Sequence, residues 1–453
     1  LESYKKHFSR NFQLAYPVIL SQVGHVLVGV ADSVMVGRIG AVPLGAASLA
    51  NGIFFVGLIF GLGVTTAITP LVARAHTQNQ IPHVAELLKH GFISAMMVAL
   101  VLFGIILNGE HFIRLLNQPE EVVVAAIPYL KIITYSFIPL LVFQSFRQFS
   151  EGYSLTFPPM VISIGANVVN VALNYAFIYG KFGFPAWGLL GAGYATLISR
   201  VVMMVAIVLY YMKHSRFQEV RSQFQWKGME WKTIKQIFTV GIPTGLQSLF
   251  EYGAFSAAVV MMGWISTAHL AAHQIAISLA SISFMFCSGI GTAASIRVGN
   301  QWGLQNIPEL RRAGFSTMAM GMVTMSVTGV LFAVFGSMFA GWYIDNEEVI
   351  AIASHLLIVA AAFQLSDGLQ VIALGALRGL QDVRIPAIIT FVAYWIIGLP
   401  LSYILGFWMN WSGVGIWIGL AVGLTASGIG LTWRFNLQTK RLLRETPLAI
   451  PST

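Results

Sequence analysis

Residues 213–235 read KHSRFQEVRSQFQWKGMEWKTIK, the longest polar stretch in a chain of 453 residues that is 57% hydrophobic and 9% charged. A soluble globular protein carries about 25% charged residues, so most of this chain is built for lipid. Six apolar runs precede the stretch, at about 11–36, 44–70, 86–107, 121–146, 157–179 and 187–212. Six follow, at about 236–262, 270–296, 313–339, 348–374, 386–408 and 412–434. Each is long enough to cross a bilayer as a helix. The expected fold is an all-α polytopic membrane protein of twelve transmembrane helices. The expected domains are an N-terminal lobe (1–212), a cytoplasmic inter-lobe hinge (213–235), a C-terminal lobe (236–434) and a cytoplasmic tail (435–453).

The two sets of six share a register. Tyr16-Pro17 and Ile242-Pro243, Val36-Gly37 and Met262-Gly263, Thr66-Ala67 and Thr292-Ala293, and Ile81-Pro82 and Ile307-Pro308 all stand 226 positions apart. Gly152 with Gly379 and Pro159 with Pro386 continue at 227, which needs one inserted residue. An even number of helices per half gives both halves the same orientation, so the repeats are parallel and related by a pseudo-two-fold axis along the membrane normal. A cleft between such lobes is the usual seat of a transported substrate. Pro17 and Pro243 remove backbone donors early in helices 1 and 7 and permit kinks there.

The net charge of +9 follows this topology and is not a nucleic-acid patch. Twenty-one of the 26 basic residues lie at the N-terminus or in even-numbered connections. The positive-inside rule therefore places both termini in the cytoplasm. Cys287 is alone, which excludes an intrachain disulfide. The apolar run from Asn11 is too long to read as a cleaved signal peptide. No HExxH, Walker A, CxxC or GxSxG arrangement occurs in a supporting context, so neither an enzyme nor a cofactor is expected.

Three acids fall deep in apolar helices: Asp32 in VGVADSVMVG, Glu251 in LFEYGAF and Asp367 in FQLSDGLQV. A charge near the bilayer centre costs roughly 2.5–3.5 kcal/mol on insertion scales and marks a functional site by default. Burial favours the neutral form of a carboxyl and a nearby cation favours the ionised form, so such a group can exchange a proton for a cation. Each acid can also be read as a hydrogen-bond donor or as the partner of a buried base. Helix 5 places Asn167, Asn170 and Asn174 on one face, able to ligate a cation, to fix Asp32, or simply to bond between helices. Phe363, one turn before Asp367, and Tyr252, beside Glu251, offer aromatic faces to a cationic ligand. Arg200 and Lys131 stand within spans, Arg200 being the better candidate for pairing with a deep acid.

These residues together resemble the multidrug and toxic compound extrusion (MATE) transporters, in their NorM-like branch. The resemblance rests on the six-plus-six plan, Pro17, VADSVMVGRIG (30–40), AAHQIA (271–276) and ALRGLQDVRIP (376–386). It implies a V-shaped pair of lobes exporting organic cations in exchange for Na⁺ or H⁺. By the same resemblance, Glu251 and Asp367 match the second-lobe cation site, where Na⁺ would bind, and Asp32 with Asn170 and Asn174 matches a first-lobe polar site. Phe363 departs from relatives that carry a tyrosine facing the cation.

The expected function is multidrug efflux by alternating access, conferring antibiotic resistance, from a monomer in the bacterial inner membrane. Na⁺ is the preferred coupling ion and H⁺ the alternative. The coupling must be negative: a cation at the acids weakens the drug, and by linkage the drug weakens the cation equally. The rival from another class is a lipid or polysaccharide flippase on a related plan, which would line its cavity with bases for an anionic substrate where this chain buries mostly acids.

Overall fold

The computed structural model describes residues 4–115 and 118–445. Among them twelve helices are long and apolar enough to cross a membrane: α1 (Tyr4–Gly37), α2 (Ala41–Thr77), α3 (Ile81–Leu107), α4 (Glu120–Gly152), α5 (Phe157–Tyr179), α6 (Gly188–Lys213), α7 (Trp231–Ile265), α8 (Thr267–Gly303), α9 (Ile307–Gly341), α10 (Glu347–Gly379), α11 (Arg384–Trp408) and α12 (Ser412–Glu445). No strand occurs among the described residues. The chain is thus an all-α polytopic membrane protein. Large apolar side chains such as Leu27, Val168 and Val323 stand more than 60% exposed, an outer surface suited to acyl chains rather than water.

Packing groups the chain into two compact units, Leu20–Gly245, and Leu246–Thr453 together with Leu1–Ile19. Both changes of unit fall two residues after a helix-internal proline, Pro17 in α1 and Pro243 in α7. The first unit is centred on Phe54, Leu102, Phe137 and Leu141. The second has one core around Phe363, Trp417 and Leu420 and another around Leu310, Leu374 and Phe435. In this unit α8 and α10 approach so closely that a Cβ on Gly375 would strike the backbone of Gly291, a contact only glycine permits.

Most helices overrun their apolar runs, and the reason is chemical. Arg297 and Glu309, placed by hydropathy in the connection between helices 8 and 9, lie in the end turns of α8 and α9. There the buried His7 accepts from Arg297 Nη2 at 3.0 Å, and its Nε2 lies 2.8 Å from Glu309 Oε2. Arg147 and Glu151 likewise end α4 as a buried ion pair at 2.8 Å. The expected tail from 435 is helical to Glu445, with Phe435 and Thr439 fully buried and Arg311 bonded to Asn436 Oδ1 at 2.8 Å; positions 446–453 lie outside the described residues. Hydropathy stops at the first charge, whereas a helix continues wherever its charges are partnered.

The 213–235 connection is folded. Arg221 donates to the carbonyls of Tyr211 and His214, at 2.7 Å each, and so caps the end of α6. Phe217 is fully buried among Phe149, Tyr153 and Tyr211. Lys89 donates to the Gly228 carbonyl at 2.9 Å, and His90 accepts from the Glu230 amide at 2.9 Å. The whole stretch belongs to the Leu20–Gly245 unit.

Three spans are irregular. The α2 span turns at Thr66–Ala67, where Thr65 and Thr66 hydroxyls bond back to Leu62 and Gly63 carbonyls. The α4 span breaks at Ser136, beside the back-bonding Thr134. Such back-bonds bend helices. The α11 span widens into π-helix at Val392–Gly398 and Ile404–Trp408, on either side of Pro400, which lacks the N–H an α-helical ladder needs.

Candidate functional site

Each unit holds a polar constellation around its deep acids, apart from the buried charged groups near the helix ends. In Leu20–Gly245 it is built from α1, α5 and α6. The asparagine spacing on α5 aims its amides at α1, as the shared helical face requires. Asn174 Nδ2 donates to Asp32 Oδ1 and, at 3.1 Å, to Asn170 Oδ1. Asn170 in turn donates to Ser199 Oγ at 3.4 Å. Asn170 and Asn174 are buried, and Asn174 Oδ1 is a shielded acceptor with no partner among the described residues. Asn167 sits one turn away against Gly24, its Nδ2 also unsatisfied.

Arg200 does not form an ion pair with Asp32 among the described residues, although each lies in the other's field. Its guanidinium bonds the Ser136 hydroxyl at the break in α4 and lies 4.9 Å from the centroid of the Phe54 ring. This is a satisfied cation, spread over a hydroxyl and an aromatic face. Lys131 stands apart from the interior and pairs with Glu110 at 3.7 Å on the surface.

The second constellation comes from α7, α10 and α11. Gln370 Nε2 donates to Glu251 Oε1 at 3.0 Å, and the Tyr394 hydroxyl donates to Gln370 Oε1 at 3.0 Å. Donors thus run in one direction, from Tyr394 through Gln370 to the carboxylate, with Gln370 and Tyr394 fully buried. Asp367, one turn before Gln370 on α10, is 7% exposed and has no hydrogen-bond or ion-pair partner among the described residues. It lies within electrostatic reach of Glu251. Gln364, the next polar residue on that face, donates to Ser283 at 2.7 Å.

The aromatic candidates occupy different settings. Phe363 is 3% exposed and packs against Trp417, ring centroids 5.6 Å apart, while Trp417 donates to His273 Nδ1 at 3.0 Å. Tyr252 is 38% exposed. The structure therefore brings together Asp32, Asn170 and Asn174 in one unit, and Glu251 and Asp367 in the other. Gln370, Tyr394, Gln247 and Arg378 were not foreseen. Gln364, Asp367 and Gln370 recur every third residue, the signal that singled out the α5 asparagines, so two of these glutamines were within reach of the same rule. Tyr394 was not, because its orientation depends on the π-helical segment.

Among the described residues no group of three or more His, Cys, Asp or Glu side chains stands close enough to hold a metal ion. Two carboxylates with neutral oxygens are hard ligands, the kind that suit a hard cation.

The chain is similar to known proteins over nearly its whole length. The MatE family profile matches residues 17–176 and 243–404, two windows that begin 226 positions apart, at Pro17 and Pro243. The chain is 34% identical over 441 residues to the multidrug resistance protein NorM of Photobacterium profundum, covering 96% of each. It is 35% identical over 435 residues to the multidrug resistance protein MdtK of Proteus mirabilis, covering 95% of each. Its fold superposes on the crystal structure of the eukaryotic MATE transporter AtDTX14 with a TM-score of 0.88 at 20% identity, over 98% of this chain and 100% of that one.

Proposed function

Because the chain belongs to the MatE family and is a multidrug efflux transporter, we propose that it exports amphipathic organic cations in exchange for Na⁺. Glu251 and Asp367 form the coupling site, and Asp32 with Asn174 and Asn170 forms a second polar site. The observation that carries this reading is Asp367, almost fully buried and without a protein partner among the described residues. An ionised carboxylate so placed is costly unless a cation joins it, and Glu251, held by Gln370, supplies the second negative group.

The mechanism follows from electrostatics. With the coupling cation at Glu251 and Asp367, the attraction for a cationic drug is cancelled and the drug leaves outward. When the cation departs inward, the two carboxylates again favour the drug. In the first-unit site Asp32, held by Asn174 Nδ2, is the group that takes up H⁺ or meets the drug, and the unpaired Asn174 Oδ1 is a spare hydrogen-bond acceptor there. The repeats 1–212 and 236–434 act as the two functional lobes of a monomer in the inner membrane, with both termini cytoplasmic.

The test is ethidium transport by purified protein in liposomes, with Na⁺ and pH gradients imposed separately. Export driven by Na⁺ at clamped pH and voltage supports the reading. Export driven by a pH gradient alone would make H⁺ the coupling ion. A flippase for anionic lipid-linked sugars is disfavoured by the same interior, where the second constellation sets Glu251 and Asp367 against one arginine, Arg378.

A further inference from the structure

Arg378 lies in the last turn of α10, and it is the least well partnered of the arginines described above. Arg147 has Glu151, Arg297 has His7, and Arg434 has Asp382 at 2.8 Å. Arg378 has one long bond, from Nη2 to Gln247 Oε1 at 3.5 Å, and no carboxylate within ion-pair distance among the described residues. Its Nε is shielded from solvent without an acceptor, and so is the Nε2 of Gln247. A guanidinium kept this way forgoes most of the bonds its fork can make.

The helix geometry shows what it is near. Gln247 and Glu251 are one turn apart on α7, hence on one face. On α10, Arg378 bonds Gln247 while Gln370, two turns earlier, bonds Glu251. The two helices therefore present two rungs, a neutral one at the carboxylate and a cationic one beside it. Arg378 and Glu251 interact electrostatically across that gap without touching. A long side chain on a loose bond can close such a gap by changing rotamer.

We propose that Arg378 is a tethered counter-cation of Glu251, which swings from Gln247 onto the carboxylate while the site holds neither ion nor drug and is displaced when either cation binds. The inference rests on the coupling role given to Glu251 above. It supplies what an exchanger needs between cargoes: a neutralised carboxylate that still releases its internal partner on demand. Because Arg378 competes with the ion for one group, deleting its charge tightens ion binding and slows the return step. At an effective dielectric of about 20, a like charge about 12 Å away changes ion affinity by about tenfold, and a nearer one by more.

The experiment compares R378M, R378Q and R378K in proteoliposomes, using whichever of Na⁺ and H⁺ drives ethidium export by the parent protein. R378Q keeps a donor for Gln247 but no charge; R378K keeps the charge. The expected result is a half-saturating ion concentration lowered about tenfold in both R378M and R378Q, with reduced maximal rate, and a value near the parent's in R378K. A structural role predicts the opposite grouping, with R378Q like the parent and R378K impaired. That grouping, or an unchanged half-saturating concentration in R378Q, overturns the proposal. Should R378M fail to accumulate, R378Q and R378K still decide. E251Q serves as the separate control: if it exchanges like the parent, the coupling role of Glu251 falls, whereas loss of exchange in E251Q with no shift in R378Q sinks only the tether.

Discussion

Gln370 holds Glu251 through a neutral amide, which orients the carboxylate without supplying a counter-charge. Replacing Gln370 by alanine removes a hydrogen bond to a charged group, worth about 1.5–3 kcal/mol. Half-saturation by the coupling ion is expected to rise by roughly tenfold or more, read from ion-dependent ethidium export; an unchanged value would remove Gln370 from the site. E251Q and D367N are expected to lose exchange while unfolding at the parent's temperature in detergent, since an amide is easier to bury than a charge. The buried Arg147–Glu151 pair behaves differently. E151Q leaves Arg147 unpaired and is expected to cost about 3–5 kcal/mol, seen as a lowered unfolding temperature, and a wild-type melt would show the pair to be dispensable. At this scale the acids were plain from sequence, because a carboxylate in an apolar run violates its surroundings. Their partners were not. A glutamine in a membrane helix is unremarkable until the facing helix is known.

The α5 asparagines and the α10 set Gln364, Asp367 and Gln370 show how far helical periodicity reaches. It orders residues on one helix and is silent about which neighbour they meet. Helix ends were misplaced for a related reason: hydropathy cannot see that His7, Arg297 and Glu309 satisfy one another. The π-helical segment of α11 lies further still beyond sequence reading, since Pro400 announces a disturbance but not its register. That segment sets the direction of Tyr394. Deleting one residue within 392–398 and so restoring α-helical winding turns the preceding side chains by about 100° per residue, and is expected to part Tyr394 from Gln370. The outcome to look for is weakened ion dependence with protein still in the membrane; unaltered dependence would show the π-helix to be incidental. Close packing sets another limit. Gly375→Leu drives a side chain into the Gly291 backbone and is expected to abolish folded protein, judged by size-exclusion profile.

For the whole molecule, the 226-residue repeat was legible before any coordinates, and the two windows matched by the MatE profile begin at its two prolines. Grouping by contact was not legible. Hydropathy divides the chain at the polar 213–235 stretch, while packing changes unit at Ile19 and at Gly245, inside α1 and α7. A long helix is one object to hydropathy even where its two parts pack with different partners. The same blindness applies to the ion, because Na⁺ and H⁺ ask for much the same carboxylates. The decisive measurement is ethidium export from proteoliposomes under an imposed Na⁺ gradient, at clamped pH and voltage, for the parent protein and for D367N. Na⁺-driven export by the parent and none by D367N is the predicted result. Equal export by both, or none by the parent under Na⁺ while a pH gradient drives it, would contradict a Na⁺ site built on Glu251 and Asp367.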